Sequence, residues 1–185
     1  SSDGIITFHD WHPVNIQEYG IAAPDPRNPD IVFGSSRSNV SRYDRKTGQT
    51  TNVGPDMTGF NRNVRTMPLL FSPVNPDALF YASNAVWKTL DRGHSWTRIS
   101  PDLSRQSWEV PATAGKYAST VTPAPLGTIT ALAASPRSVA ILWAGTDDGL
   151  IQVTMNGGTT WTNVTPPAIK PWTRIFNIEA GHFDN

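Results

Sequence analysis

The chain has 185 residues, of which 38% are hydrophobic and 16% charged, with 16 Pro, 14 Gly, 7 Trp and no Cys. Fifteen Lys and Arg balance fifteen Asp and Glu, so no net field draws a polyanion and no basic run tracks a phosphate backbone; nucleic acid is set aside as a partner. The missing thiols remove disulfides, thiolate zinc sites and cysteine nucleophiles together.

In chain order, the first residues carry neither Met nor a basic start followed by an apolar run, and any targeting segment is expected to lie outside them. His9-Asp10-Trp11-His12 pairs two histidines, but on a strand that spacing points them to opposite faces, and no His or Cys cluster accompanies them. A surface or packing role is expected, with no metal and no cofactor. The most apolar window, Ile129 to Trp143, is broken by Ser135, Pro136 and Arg137. It falls short of the roughly 20 apolar residues of a spanning helix, so no membrane span is expected.

Self-comparison reveals repeats. The stretch from Ala23 to Ser36 aligns with Phe71 to Ser83, matching Pro26 to Pro73 and Pro29 to Pro76, and with Ala134 to Thr146. Each copy reads as a Pro-anchored turn followed by a buried strand. The short apolar runs Tyr19 to Ala22, Met67 to Phe71 and Ile129 to Ala133 precede these turns. Every repeat is therefore expected to open as strand, turn, strand, and no segment shows the sustained 3.6-residue period of a helix.

A more specific motif follows. Thr89-Leu90-Asp91-Arg92-Gly93-His94-Ser95-Trp96 and Thr154-Met155-Asn156-Gly157-Gly158-Thr159-Thr160-Trp161 both fit [ST]-x-[DN]-x-G-x-[ST]-W. The chemistry is that of a hairpin turn. Asp91 or Asn156 bonds backbone N–H groups, Gly93 or Gly158 takes positive φ, and Trp96 or Trp161 starts the outgoing strand and packs back. Thr89 and Thr154 open the two motifs. Tyr43 to Val53 holds a weaker version without Trp, and its outer edge is expected to pack less well. Asp147-Asp148-Gly149 reads as a turn rather than a carboxylate pair.

These motifs resemble the Asp-box repeats of sialidases, of xyloglucan-degrading endoglucanases and of sortilin-type receptors. Over nearly the whole chain the resemblance is to large secreted bacterial BNR-repeat proteins of the sortilin-like class, carried by Asp25 to Val32, Ser41 to Gly48, Trp96 to Leu103 and Trp143 to Leu150. It implies an all-β fold of β-propeller blades, each a four-stranded antiparallel sheet. Blades are expected at about 17–60, 61–110 and 127–170, partial blade strands at 1–16 and 171–185, and an insertion loop at 104–126. Those proteins are much longer, so the resemblance implies a fragment or a reduced relative, in an extracellular or periplasmic setting. A closed ring needs at least about four blades. Closure by further sequence, by a composite fourth blade from the two ends, or by a second copy is weighed in that order.

Three functions compete. The first is a non-catalytic module that binds a protein, peptide or glycan where loops lead into the inner strands, or that assembles with itself; Glu18, Arg65 and Arg174 fall there. Trp108 and Trp172 lie off the repeat positions, unlike Trp96, Trp143 and Trp161, and suit stacking on a sugar or peptide. The alternative is a glycoside hydrolase, which needs two carboxylates roughly 5 to 9.5 Å apart. Asp10, Glu18, Glu109 and Glu179 are the candidates, and a sialidase-like arginine set would draw on Arg65, Arg137 and Arg174, although Arg137 sits in a repeat turn. The third is a structural role, in which unpaired blade edges build a homo-oligomer or filament.

Overall fold

The computed structural model describes residues 4–8, 11, 13–36, 39–107 and 125–183. Its strands form three antiparallel sheets of four strands, each laid out in chain order. Sheet 1 contains β1 (Ala22–Asp25), β2 (Asn28–Ser35), β3 (Val40–Asp44) and β4 (Gln49–Asn52). Sheet 2 contains β5 (Leu69–Phe71), β6 (Leu79–Ala82), β7 (Val86–Thr89) and β8 (Thr97–Arg98). Sheet 3 contains β9 (Ile129–Ala134), β10 (Leu142–Thr146), β11 (Ile151–Thr154) and β12 (Thr162–Asn163). No α-helix occurs among the described residues, and no helix there is long and apolar enough to cross a membrane.

Local chemistry explains the first turn of each sheet. The Asp25 carboxylate accepts the Arg27 N–H at 2.9 Å, the Ser72 hydroxyl accepts those of Val74 and Asn75, and the Ser135 hydroxyl accepts that of Arg137. Short polar side chains of this kind stand in for a backbone turn. The strands that follow place Phe33, Phe80 and Trp143 opposite Ala23, Leu70 and Ala133, so the three aromatic side chains occupy one repeated position.

Both cores lie between sheets rather than within them. Phe33, Ile31 and Val40 of sheet 1 meet Leu69, Leu79 and Tyr81 of sheet 2, with Met57 and Met67 of the connecting segment. Phe80, Val86 and Ala82 of sheet 2 meet Ile129, Leu132, Leu142 and Ala144 of sheet 3. Along the inner side, β5 touches both β1 and β9. Sheet 2 is therefore covered on both faces, its forward face by sheet 3 and its rear face by sheet 1, while sheet 1 turns its forward face and sheet 3 its rear face to sheet 2. Truncating a fully buried Phe33 or Phe80 removes about 3–5 kcal/mol, which is a large share of any single domain's stability.

The outer hairpins lock these faces together. In sheet 2 the Thr89 hydroxyl donates to Asp91 at 2.7 Å and accepts the Gly93 N–H at 2.9 Å, while Asp91 accepts the Ser95 N–H at 2.8 Å and its O–H at 2.6 Å. Sheet 3 repeats this with Thr154, Asn156, Gly158 and the Thr160 N–H, except that the Asn156 amide donates to the Thr160 hydroxyl at 2.9 Å. The turn ends at Trp96, whose indole N–H donates to the Val53 carbonyl at 2.6 Å, and at Trp161, which donates to the Ile99 carbonyl at 2.9 Å. Both acceptors lie just past the outer strand of the preceding sheet. The glycines face the same acceptors: Gly93 and Gly158 hold φ of 88° and 99°, and a Cβ on Gly158 would sit 2.3 Å from the Ile99 oxygen.

The hairpin of sheet 1 is different. The Gly48 N–H closes a tight turn on the Asp44 carbonyl, the Asp44 carboxylate holds the Lys46 and Thr47 N–H groups, and β4 is exposed along its whole length. No tryptophan reaches backward from it.

Trp161→Phe keeps the ring contact but strips the Ile99 carbonyl of its donor. Urea unfolding is expected to show a loss of about 1 kcal/mol, against less than about 0.5 kcal/mol for Met155→Gln on the exposed tip of the same hairpin.

Candidate functional site

The strands β1, β5 and β9 all begin at one end of the molecule, where the β2–β3, β6–β7 and β10–β11 turns also lie. Polar side chains gather there in two groups of opposite character. The first is inward and closed. Arg62 donates through Nη2 to Asp102 and to Ser104 at 2.8 Å, and through Nε to the Gly127 carbonyl at 3.1 Å. Asn84 accepts the Arg62 backbone N–H at 3.0 Å and donates to Asp102 at 3.2 Å. Burial pushes the Asp102 carboxyl up, and the bonds from Ser104 and Arg62 outweigh it, leaving it below the usual range.

Asp148 is fully buried and accepts the Thr146 hydroxyl at 2.6 Å and the Arg105 N–H at 2.8 Å, while the Arg105 guanidinium donates to the Asp148 carbonyl at 2.6 Å. Asp147 accepts the Thr128 N–H and hydroxyl. Gly149 has φ of 88°, so Asp147-Asp148-Gly149 is the turn its sequence suggests. Each of these carboxylates is thus already held: Asp102 by Arg62, Asn84 and Ser104, Asp147 by Thr128, and Asp148 by Thr146 and by Arg105 of the segment that leads into sheet 3.

The second group is exposed. Glu18 and Arg65 form a 3.2 Å ion pair, and the Arg65 guanidinium lies 4.5 Å from the centre of the Tyr19 ring, which is 55% exposed and held at φ 64°. Past sheet 3, Arg174 lies over the exposed Phe176 ring at 5.4 Å. Trp172 is 46% exposed, takes φ 67° and donates its backbone N–H to the Asp148 carbonyl. Glu18 and Arg65 thus meet, whereas Arg174 is engaged with its own neighbour. Trp108 falls outside the described residues, as do His9, Asp10, His12 and Glu109.

Of the carboxylates weighed for hydrolysis, Glu18 faces Arg65 and Glu179 faces His182 at 3.3 Å. Among the described residues no three His, Cys, Asp or Glu gather as metal ligands. A cleft of about 210 Å³ lies against the outer hairpin of sheet 2, lined by Lys88, Thr89, Leu90, Ser95, Thr97 and Ile99. That is below the ~300 Å³ at which small-molecule pockets begin.

Two features escape a reading by motif. Tyr19 is the ring on which the Arg65 pair rests, and only its place beside Glu18 hints at this. At the opposite end, Arg92 takes φ 60° within its motif and reaches the buried Asp25 of sheet 1 at 2.7 Å and Asp77 at 3.4 Å, while Arg27 reaches back to Asp77 at 2.7 Å. The variable position after the motif Asp gave no signal for this second lock between sheets 1 and 2.

No family model matches the chain, and no curated protein matches it. Solved structures do. The extracellular domain of BT4673 from B. thetaiotaomicron, described once as part of a putative one component system and once as part of a putative hybrid two component system, superposes with TM-scores of 0.57 and 0.54 at 12% identity. The matches cover 85% and 84% of this chain and 18% of that domain. The GH74 xyloglucanase from Xanthomonas campestris matches over 77% of this chain and 23% of its own length, at 16% identity and a TM-score of 0.47. At 12% identity the property shared with the BT4673 domain is the fold. The chain spans about a fifth of the length of these structures.

The locks between sheets carry an acid dependence. Burial raises the Asp25 carboxyl, and Arg92 with the N–H groups of Arg27 and Asn28 more than reverses this, so the group stays below the usual range. The Ser95 hydroxyl and N–H, with Thr89, pull Asp91 down to about 2. A carboxyl depressed in the folded state stabilises fully above its unfolded value, near 4, and loses that contribution as pH falls through its folded value. The thermal midpoint followed by circular dichroism is expected to hold from pH 7 to about 4.5 and to drop towards pH 2. Asp91→Asn places in sheet 2 the residue that sheet 3 uses, and is expected to fold and to shallow that drop.

Proposed function

We propose that the chain is a non-catalytic segment of a β-propeller, three Asp-box blades of a larger secreted or periplasmic protein of the BNR-repeat, sortilin-like kind, which binds a peptide or glycan where loops lead into the inner strands. The observation that carries the reading is the contrast between the two polar groups at that end. The inward carboxylates are consumed by Arg62, Arg105 and backbone donors, whereas Tyr19, Arg65 and Glu18 stand in solvent as a ring, a cation and an anion held in one arrangement. An exposed aromatic face beside a guanidinium suits stacking on a sugar or an aromatic or acidic side chain. Glu18, the carboxylate of this group, is paired with Arg65 rather than set opposite a second acid as sugar hydrolysis requires.

The likeness to a domain described as extracellular favours the same setting for this chain. A surface that receives a ligand without converting it suits a domain of that placement, although propellers as a class host unrelated activities.

The test is a glycan and peptide array with the intact chain, followed by calorimetry on Tyr19→Ala/Arg65→Ala. Tenfold or greater weakening of the ligand found, about 1.4 kcal/mol, is the expected result. Unchanged affinity would move the site elsewhere, and turnover of xyloglucan or a sialoside by the intact chain would overturn the non-catalytic reading.

A further inference from the structure

Asn156 is the one asparagine of the chain that is followed by glycine, and the residue that follows governs the chemistry of an asparagine side chain. Its backbone nitrogen can attack the side-chain amide carbon, and glycine, with no Cβ, obstructs that attack least. Sheet 2 places Asp91 and Arg92 at the same two positions of its hairpin, so the reactive pair belongs to sheet 3 alone among the motif hairpins.

The folded hairpin restrains both reacting groups. Gly157 holds φ of 72° and donates its N–H to the Ala140 carbonyl of the β9–β10 turn at 2.8 Å. The Asn156 amide accepts the Thr154 hydroxyl at 3.0 Å and the Thr160 N–H at 2.9 Å, and donates to the Thr160 hydroxyl at 2.9 Å. The nitrogen is freed only by breaking the first bond, and the side chain turns only by breaking the other three. The hairpin as a whole is fastened to sheet 2 at one oxygen, that of Ile99, which Gly158 presses against and the Trp161 indole N–H donates to.

We infer that Asn156 is a modification site gated by this joint: its amide is exchanged for a carboxylate only when the hairpin leaves the face of sheet 2. On opening, the Gly157 nitrogen gives its proton to hydroxide and bonds to Cγ of Asn156. The Cγ–Nδ2 bond breaks, and Nδ2 departs as ammonia with a proton from water. A second water then opens the five-membered imide. Cleavage between the nitrogen and Cγ leaves aspartate in an unaltered main chain, whereas cleavage at the main-chain carbonyl carbon leaves isoaspartate, whose main chain is one carbon longer. The net reaction consumes one water and releases one ammonia.

The two products fit the hairpin unequally. Aspartate reproduces sheet 2, where Asp91 accepts the Ser95 N–H at 2.8 Å and its hydroxyl at 2.6 Å; the Thr160 hydroxyl need only reverse its bond. Isoaspartate lengthens the turn beside Gly158, where a single added Cβ would already lie 2.3 Å from the Ile99 oxygen, and so displaces the Trp161 bond. The joint that blocks the reaction is thus the joint that isoaspartate weakens, and a first opening makes later ones more frequent.

The test incubates the intact chain at mildly alkaline pH, folded and in guanidinium chloride, and follows conversion at Asn156 by peptide mapping with mass spectrometry. Conversion is expected to be at least about tenfold slower in the folded chain, as for any reaction that needs local opening. It is expected to be severalfold faster in folded Trp161→Phe than in the folded parent. Equal rates in the folded and unfolded chains, or no conversion in guanidinium, overturns the proposal, and a Trp161→Phe rate equal to the parent's overturns the joint as its gate. A Cβ at Gly157 meets no atom within 4 Å, and Arg92 holds the same left-handed conformation in sheet 2, so Gly157→Ala serves as the chemical control. It is expected to slow conversion in guanidinium, where folding plays no part; an unchanged rate there overturns attack by the Gly157 nitrogen. Asn156→Asp is expected to keep the parent's thermal midpoint at neutral pH, and a fall as large as that of Asn156→Ala overturns the fit of the aspartate product.

Discussion

The structure depends on the indole N–H that crosses from one sheet to the backbone of the sheet before it. A four-stranded sheet with short strands has two faces to bury and no core of its own, so its stability comes from neighbours. Dispersion and burial along Phe33, Phe80, Leu79 and Leu142 provide most of the attraction. Those contacts are non-directional, however, and would tolerate sliding or splaying of one sheet on the next. The bonds from Trp96 to Val53 and from Trp161 to Ile99 are directional and sit at the outer rim, farthest from the packed inner strands, where a small rotation moves the atoms most. The pair of contacts, apolar within and polar at the rim, sets the angle between sheets.

The motif around the tryptophan follows from that duty. Its Thr and Asp or Asn spend their hydrogen bonds inside the hairpin, which holds the ring at a fixed height. Its glycine lets the turn press against the acceptor strand without a Cβ in the way. Asp91 and Asn156 do the same work although only one can be charged, which identifies the group as an acceptor in a turn rather than as an acid. The salt bridge from Arg92 to the buried Asp25 adds a lock at one joint only. Pairs of that kind are specific in geometry and costly to break from one side, yet weak as net stabilisers.

Much of this is legible in the sequence. The Pro-anchored turns, the strand after each of them and the two motif hairpins lie where the repeat alignment puts them, because turn chemistry and strand burial are local. The pairing of Trp96 with Val53 was not readable, since its partner lies in the previous repeat and is a backbone oxygen, which no side-chain pattern marks. Trp143 is the instructive case. Its repeat position marks it as core, and its equivalents Phe33 and Phe80 are core, but burial belongs to the face and its neighbour rather than to the residue. Among the site residues, the meeting of Glu18 with Arg65 follows from both preceding an inner strand, while the contribution of Tyr19 required a backbone at positive φ that nothing local demands.

The two ends of the sheets have become chemically unlike for a related reason. At the end with the motif hairpins, polar groups are committed to holding sheets together, and a change there is paid in stability. At the end where the inner strands begin, the same need is met deeper down by Arg62, Asp102, Asn84, Arg105 and Asp148, each tied to the backbone or side chain of a neighbouring segment. With the joint secured beneath them, the loops above are free of structural duty and tolerate exposed rings and charges such as Tyr19 and Arg65. A surface of that kind can vary in sequence while the sheets beneath keep their angle.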